Sequence, residues 1–362
     1  MKILFDIGHP ADIHLFKHII LNLKGKNNEI KICVRERENI SKKLLELYNL
    51  EYEELEKNMP GLFNKAIGMF KNDYKLIDIS KRFNPDIFVS LASPYSAQVS
   101  RLMNRYSITF TDSEPTRLML SLTMPFTDVI LTPKSFTTDL GEKQIRINSF
   151  KELAYLHPNW FRPNRDVLGL LNISKGERYV ICRFGAFDAS HDIGIKGFSL
   201  KCKLRLIEKL SKYTKIFISS ELELPRDLEK YNMNIPQHRM HDAIYYASLL
   251  VGDTQTSTTE AACLGTPAIR CNSFVGPNDM SNFKELEAKY KLIFNYRDSR
   301  NAIEKSLELI QQENINKEWA QRTEKLINDK IDLTAFMTWF IENYPKSFEI
   351  IRCDPTYQER FK

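Results

Sequence analysis

The 362-residue sequence lacks the patterns that mark several classes of protein. Its six cysteines form no CxxC pair, and three of them lie in apolar stretches, so we expect reduced, buried thiols rather than a disulfide framework. No apolar run approaches the ~18 residues of a transmembrane helix, and no signal peptide is expected. Low-complexity segments and basic tails are also missing. A net charge of +6, spread along the chain, argues against nucleic acid as a partner.

The sequence does contain the composition of an ordinary soluble protein, with 43% hydrophobic and 27% charged residues. At ~150 residues per domain, its length predicts two domains. Short apolar runs alternate with amphipathic stretches, which predicts an α/β fold with parallel sheets covered on both faces. The predicted strands are 3–7, 30–34, 86–91, 107–110, 128–131, 179–182, 215–219, 249–252, 268–271 and 292–294. Helices are predicted after the first strand and at 198–213, 257–264, 298–312 and 316–329.

Residues 157–164 contain two prolines and two asparagines, which helices and strands rarely cross. We therefore predict a first domain at 1–157 and a second at 165–332, with a ligand cleft between them. Residues 333–362 are predicted to form a C-terminal helix and tail that pack back on the first domain. Because ligands of open α/β sheets bind at the carboxyl ends of the strands, the loops after each strand are the places to search.

The most informative loop follows the predicted strand 249–252. Hydroxyl groups of Thr254, Thr256, Ser257 and Thr258 lie at the start of a short predicted helix, where free N–H groups and the helix dipole favour a phosphate. Glu260, one turn further on, is placed to reach the diol of a ribose. An alternative is a capping box, in which Ser257 caps the helix and Glu260 satisfies the backbone N–H of that cap.

Residues 252–270 resemble the nucleotide-binding signature of GT-B enzymes, which include peptidoglycan N-acetylglucosaminyltransferase-type enzymes and non-hydrolysing UDP-N-acetylglucosamine 2-epimerases. The resemblance implies a GT-B-like fold of two Rossmann-like domains, with Glu260 on the ribose and the preceding turn facing the diphosphate. Thr254, Gln255 and Thr256 replace the usual glycines, so side-chain hydroxyls would substitute for a close backbone approach. More narrowly, the whole chain, with Asp-Ile-Gly-His-Pro at 6–10, resembles the domain of unknown function 354 family.

Two further loops of the second half fit this resemblance. Arg183, Ser190 and His191 follow the strand 179–182, where GT-B enzymes hold the diphosphate; a flexible loop with a solvent-facing arginine is the alternative. Met240 lies where GT-B proteins grip the base and is predicted to cover its ring. Asp242 is alternatively an N-terminal helix cap.

In the first half, the loop after the first strand contains Gly8 and His9, which we predict to contact the nucleotide sugar. His14 is a candidate general base, since the ordinary pKa of histidine lies near neutrality. Metal binding by His9, His14 and His18, with Asp6 or Asp12, is the alternative, but no carboxylate or cysteine cluster elsewhere supports it, so we predict no metal.

Asp112 and Glu114 follow the strand 107–110 in a segment that resembles the His-x-Glu-Ala segment of the epimerases. Both are predicted to be catalytic, with Glu114 favoured; a helix cap by Asp112 or Ser113 is the alternative. The 2-epimerases have a Gly-Asp pair where this chain has Ala92 and Ser93, which argues against simple 2-epimerase chemistry.

Residues 59–75 interleave lysine with Phe, Met and Ile, as does a helix that lies on a membrane surface. The alternative is an amphipathic helix packed on its own domain. Because the cysteines are expected to be reduced, we expect a cytoplasmic protein. Peripheral contact of residues 59–75 with the inner face of the cell membrane is a further prediction.

The resemblance to GT-B enzymes, together with these candidate residues, implies a glycosyltransferase that moves a sugar from a nucleoside diphosphate sugar, with UDP favoured, to a glycan or lipid-linked acceptor in surface polysaccharide or glycoconjugate synthesis. No Asp-x-Asp motif follows a strand, which favours a metal-independent reaction without a cofactor. A sugar-nucleotide epimerase or hydrolase and a non-catalytic sugar-nucleotide binding protein are the alternatives.

Overall fold

A computed structural model describes residues 1–35, 40–55, 62–186 and 196–362, and for 62–71 it describes only the helix that they form. The chain divides into two compact units. The first unit comprises Met1–Tyr155 and Lys330–Lys362, and the second comprises Leu156–Asp329. Each unit contains a parallel β-sheet covered by helices, which confirms the predicted α/β class.

All ten predicted strands are present, each within two residues of its predicted ends. Two short strands, β3 and β7, were not predicted. The strands are β1 Lys2–Ile7, β2 Glu29–Val34, β3 Glu53–Glu54, β4 Ile87–Leu91, β5 Tyr106–Phe110, β6 Val129–Pro133, β7 Gln144–Ile147, β8 Tyr179–Phe184, β9 Lys215–Ser220, β10 Leu249–Gly252, β11 Ala268–Cys271 and β12 Ile293–Tyr296.

The helices lie between the strands and at the end of the chain. They are α1 Pro10–Gly25, α2 Ile40–Leu47, α3 Leu62–Phe83, α4 Pro94–Leu102, α5 Arg117–Thr123, α6 Leu153–Leu156, α7 Asp166–Leu170, α8 Leu200–Leu210, α9 Arg226–Glu229, α10 Met240–Tyr246, α11 Thr256–Leu264, α12 Ser281–Ala288, α13 Ser299–Ile310, α14 Ile315–Asp329, α15 Leu333–Glu342 and α16 Lys346–Cys353. Among the described residues, no helix combines the length and apolarity that a bilayer-spanning segment needs.

Each sheet has a point at which the direction of strand addition reverses. The first sheet has the order β3-β2-β1-β4-β5-β6-β7, so the reversal falls between β1 and β4. The second has the order β12-β11-β10-β8-β9, with the reversal between β8 and β10. At such a point the two loops that leave the strand ends part to opposite faces of the sheet and open a crevice.

The core of the first unit joins its two segments of chain. In α1 the buried residues Ile13, Phe16, Ile20 and Leu23 recur at the predicted helical spacing. Helix α1 also contacts α15, whose own residues Phe336 and Phe340 are among those buried. Residues 330–362 therefore complete the core around the first sheet.

Candidate functional site

The reversal point of the second sheet places two loops side by side. β10 pairs with β8 in parallel, and Gly252 lies opposite Arg183 at the carboxyl ends of both strands. A Cβ at position 252 would overlap the backbone carbonyl of Arg183, so only glycine allows the strands to approach this closely. The loop beginning at Gly185 and the loop beginning at Asp253 consequently start from the same edge of the sheet.

Asp253, which the sequence reasoning missed, holds these loops together. Its buried carboxylate accepts hydrogen bonds from the backbone N–H of Gly185 (2.8 Å) and of Phe198 (3.1 Å). Its carbonyl oxygen accepts a third from the side-chain amide of Asn272 (2.8 Å). Burial raises the pKa of Asp253 to about 6, against the opposing effect of the N–H donors. Its position directly after a buried strand was the signal available in the sequence.

Helix α11 follows Asp253 and begins at Thr256, with Gln255 as N-cap and no side-chain cap. Thr254 and Thr256 are half-buried at this end, and Ser257 is buried within the first turn. The Thr258 hydroxyl donates to the carbonyl oxygen of Thr254 (2.8 Å). The side chain of Gln255 thus caps none of the first N–H groups of α11, which suits an anionic ligand.

Glu260 does not act as part of a capping box. Because α11 starts before Ser257, that residue is not the N-cap, and the capping alternative is wrong. Instead the Glu260 carboxylate lies 3.0 Å from Nε2 of His241 on α10, and both side chains are buried. The ring of Phe161 meets the His241 ring edge-on, with 6.4 Å between centroids. His241 was not predicted, because it lies 19 residues from Glu260 and no local pattern links them.

Arg183 lies at the end of β8, as predicted, but its guanidinium is already engaged. It donates to the Ser219 hydroxyl (3.1 Å) and forms an ion pair with Glu221 (2.8 Å), whose second oxygen accepts the N–H of Ala186 (2.9 Å). The carboxylate of Glu221 is therefore paired with the same Arg183 guanidinium that a diphosphate would need. Ser190 and His191 lie outside the described residues.

Met240 is the first residue of α10 and is half-buried. Asp242 is not the cap of this helix, so that alternative is wrong: the N-cap is Arg239, without a side-chain cap. The Asp242 carboxylate instead accepts the N–H of Asn164 (2.8 Å) and pairs with Arg239 (2.8 Å).

In the first unit, Gly8 and His9 lead into α1, and His9 is its N-cap. The His9 ring accepts the N–H of Ala11 (3.2 Å), while the Asp12 carboxylate accepts those of Gly8 (2.8 Å) and His9 (3.0 Å). Burial raises the pKa of Asp12 to about 7, although these N–H groups and nearby cations oppose it. His9 therefore caps the start of α1, and its side chain is exposed to solvent.

The candidate catalytic side chains of this unit have distinct surroundings. The His14 ring is half-buried beside Tyr155, with 5.4 Å between ring centroids. Asp112 forms a buried ion pair with Lys151 (2.8 Å) and does not cap α5, whose N-cap is Thr116. Glu114 is half-buried and accepts the N–H of Thr137 at 3.5 Å.

Several carboxylates surround the ammonium group of Lys151. It lies 2.8 Å from Asp112 and 3.8 Å from Glu152, and the charge of Asp12 also acts on it. Burial by itself lowers the pKa of Lys151, but the carboxylates outweigh it and raise the pKa overall. Lys151 thus stays charged and neutralises Asp112.

A second buried network lies at the reversal point between β1 and β4. The Arg35 guanidinium donates to Asp6 (2.9 Å) and to the Ser93 hydroxyl (3.1 Å), and Ser93 in turn donates to Asp6. The ring of Tyr95 covers the guanidinium, 4.3 Å from its centroid. Asp6, at the end of β1, thus brings a carboxylate against the Ser93 hydroxyl. The described residues contain no group of three or more His, Cys, Asp or Glu that could hold a metal ion.

Solved structures with the same architecture are GT-B proteins, which confirms the predicted fold. A UDP-GlcNAc 2-epimerase from Neisseria meningitidis, bound to UDP-GlcNAc, is 12% identical with a TM-score of 0.69 over 94% of this chain and 100% of that chain. The S. aureus MnaA–UDP structure is 9% identical with a TM-score of 0.69, covering 96% of this chain and 98% of that chain.

Glycosyltransferases share the architecture to a similar extent. The spinosyn rhamnosyltransferase SpnG, complexed with thymidine diphosphate, is 10% identical with a TM-score of 0.64, covering 95% of this chain and all of that chain. No curated protein sequence matches the chain. The model of the family described as "Protein of unknown function (DUF354)" matches residues 1–337, and the chain belongs to that family.

Proposed function

We propose that this protein is a glycosyltransferase that transfers a sugar from a nucleoside diphosphate sugar, with UDP as the favoured nucleotide, to a glycan or lipid-linked acceptor. The observation that carries the proposal is the assembly at the reversal point of the second sheet. There, the Arg183 guanidinium at the end of β8 and the start of α11, with the buried carboxylate of Glu260 one turn further on, flank the loops that Asp253 ties together.

The chemistry follows from these groups. The N–H groups of α11 and Arg183 bind the diphosphate, and Glu260 accepts hydrogen bonds from the ribose hydroxyls. As the bond between the sugar carbon and the diphosphate oxygen breaks, negative charge grows on the leaving group, and the same donors stabilise it. The acceptor oxygen bonds to that carbon and loses its proton to a base, for which His14 and Glu114 are the candidates. Asp112, neutralised by Lys151, is the weaker candidate.

A sugar-nucleotide epimerase or hydrolase is the second candidate. It is favoured by the carboxylate of Asp6, which meets Ser93 where the 2-epimerases carry their aspartate. It is disfavoured by the ion pairs that engage Asp6 with Arg35 and Asp112 with Lys151. A non-catalytic sugar-nucleotide binding protein is the third.

Finer parts of the proposal concern the cell. We place the reaction in surface polysaccharide or glycoconjugate synthesis, at the cytoplasmic side of the membrane, with contact through 59–75. Residues 62–75 of this segment belong to α3, which continues to residue 83. A helix here is compatible with either a membrane contact or packing on the first unit.

Product analysis separates the three candidates. The purified protein is incubated with UDP- and GDP-sugars, first alone and then with a polyprenyl-diphosphate-linked saccharide, and the products are followed by mass spectrometry. A saccharide lengthened by one sugar supports the transferase. An isomer, or free sugar at high turnover without acceptor, supports the second candidate, and binding with no conversion in either arm supports the third.

The role of Glu260 is tested by calorimetric titration with UDP. Glu260→Ala is expected to weaken binding severalfold, because the ribose hydroxyls lose their acceptor. Glu287→Ala is the matched control: this half-buried glutamate of the same unit accepts hydrogen bonds from Asn295 (2.8 and 3.0 Å) and has no proposed ligand. Equal UDP affinity in Glu260→Ala and the wild type would refute the assignment.

A further inference from the structure

The pair formed by His241 and Glu260 in the second unit is a contact that local sequence patterns do not explain. The two residues belong to neighbouring helices, α10 and α11, and are 7% and 6% exposed. Their side chains meet with 3.0 Å between Nε2 and Oε1. Phe161 packs against the imidazole ring and limits its freedom.

The chemistry of the two groups sets the direction of this hydrogen bond. A buried carboxylate is stable only when it is hydrogen-bonded, and an ionised carboxylate can only accept. The Nε2 atom of His241 is therefore the donor, whether the ring is neutral or charged. With Oε1 held in this way, the plane of the carboxylate is set before any nucleotide arrives, since rotation about the last side-chain bond would break the contact.

We propose that His241 is a positioning residue that orients Glu260 to select ribonucleotides over deoxyribonucleotides. The inference rests on the proposed function, because it assigns the hydroxyl groups of a ribose to Glu260. A diol is recognised only by an acceptor of fixed position, since each hydroxyl must meet an oxygen at hydrogen-bond distance and angle. A carboxylate that rotates freely would present no oxygen at a fixed position. It would therefore discriminate poorly between a sugar that has a given hydroxyl group and one that lacks it.

The test compares UDP, 2′-deoxy-UDP and 3′-deoxy-UDP by calorimetric titration of the full chain. For the wild type, removal of a hydroxyl that bonds a charged group is expected to weaken binding about tenfold or more for at least one deoxy analogue. In His241→Asn the shorter side chain cannot reach Oε1, and this preference is expected to fall to about twofold. His241→Gln places its amide nitrogen near the position of Nε2 and is expected to restore most of the preference.

The ratio of affinities, rather than the affinity itself, distinguishes positioning from a structural role. A merely structural histidine would weaken UDP and its deoxy analogues equally and leave the ratio unchanged. If His241→Asn fails to fold, His241→Leu, whose apolar side chain cannot donate to Oε1, takes its place: a preference reduced to about twofold supports positioning, and the full wild-type preference overturns it in the same way.

Three results overturn the inference. A wild type that binds UDP and both deoxy analogues equally well, or a His241→Asn variant that keeps the full preference, refutes the positioning role while the proposed function stands. A wild type that binds none of the nucleoside diphosphates, UDP and GDP included, refutes the proposed function and this inference with it.

Discussion

Asp12 offers a quantitative test of the electrostatics of the first unit. Its buried carboxylate accepts two backbone N–H groups through Oδ2, while Oδ1 has no hydrogen-bond partner in the part of the chain that the structure describes. The variant Asp12→Asn keeps an oxygen for both donors and removes the charge. Its amide nitrogen then takes the place of Oδ1, at a cost that does not depend on pH.

The sign of the effect follows from the raised pKa. Asp12 has a pKa of about 7 in the folded protein against an ordinary 3.8, so between these values the folded state binds a proton that the unfolded state does not. This proton stabilises the folded protein at low pH, and its contribution is lost as the pH rises toward 7. At about 1.4 kcal/mol per unit of pKa, the loss between pH ~4.5 and pH ~8 is about 3 kcal/mol.

The assay is equilibrium urea unfolding of the wild type and Asp12→Asn at both pH values, with hydrogen exchange of α1 peptides to identify the transition of the first unit. The variant is expected to gain about 3 kcal/mol on the wild type as the pH rises across this range. Asp354→Asn is the control: hydrogen bonds from Thr356 lower the pKa of Asp354 below its ordinary 3.8, so this carboxylate is ionised in both states across the range and its removal should change stability almost equally at both pH values. A difference between wild type and Asp12→Asn that stays constant with pH would refute the reasoning.

Two further predictions concern the second unit. Glu221→Gln is expected to tighten UDP binding severalfold in calorimetric titration, because Arg183 no longer has to exchange a carboxylate for the diphosphate. Glu223 is exposed, and Glu223→Gln should leave the affinity unchanged. Equal UDP affinities in the wild type and both variants would contradict the role of Glu221. Gly252→Ala is expected to lower the free energy of unfolding by more than about 2 kcal/mol, since its Cβ would overlap the Arg183 carbonyl. Gly169→Ala, which meets open space in α7, should be neutral or stabilising, and a similar result for both glycines in urea unfolding would exclude this steric explanation.

The strands that were predicted and those that were missed differ in a physical way. Strands inside a parallel sheet are buried on both faces and read as continuous apolar runs, as in β4 and β6. The two missed strands form the edges of the first sheet. β3 consists of two glutamates, and β7 alternates polar and apolar residues over four positions, so neither carries that signal.

The candidate site likewise has a part that the sequence predicted and a part that it did not. Its loops were predictable, because strand order and the carboxyl-end rule locate them without side-chain detail. The partners of each side chain were not. Glu260 meets His241, Arg183 meets Glu221 and Asp112 meets Lys151, across 19, 38 and 39 positions of sequence. Capping was the natural local alternative for Glu260 and Asp112, and it was wrong because each helix begins at a different residue.

The sequence by itself determined the alternation of strands and helices, the loops that bear polar groups and, through its resemblance to GT-B enzymes, the kind of ligand to expect. These properties depend on hydrophobic periodicity and on short segments whose residues are neighbours in the chain. Only the tertiary structure decided which charges are neutralised and which carboxylates are held in place, because burial and ion pairing depend on groups brought together from distant elements of the fold.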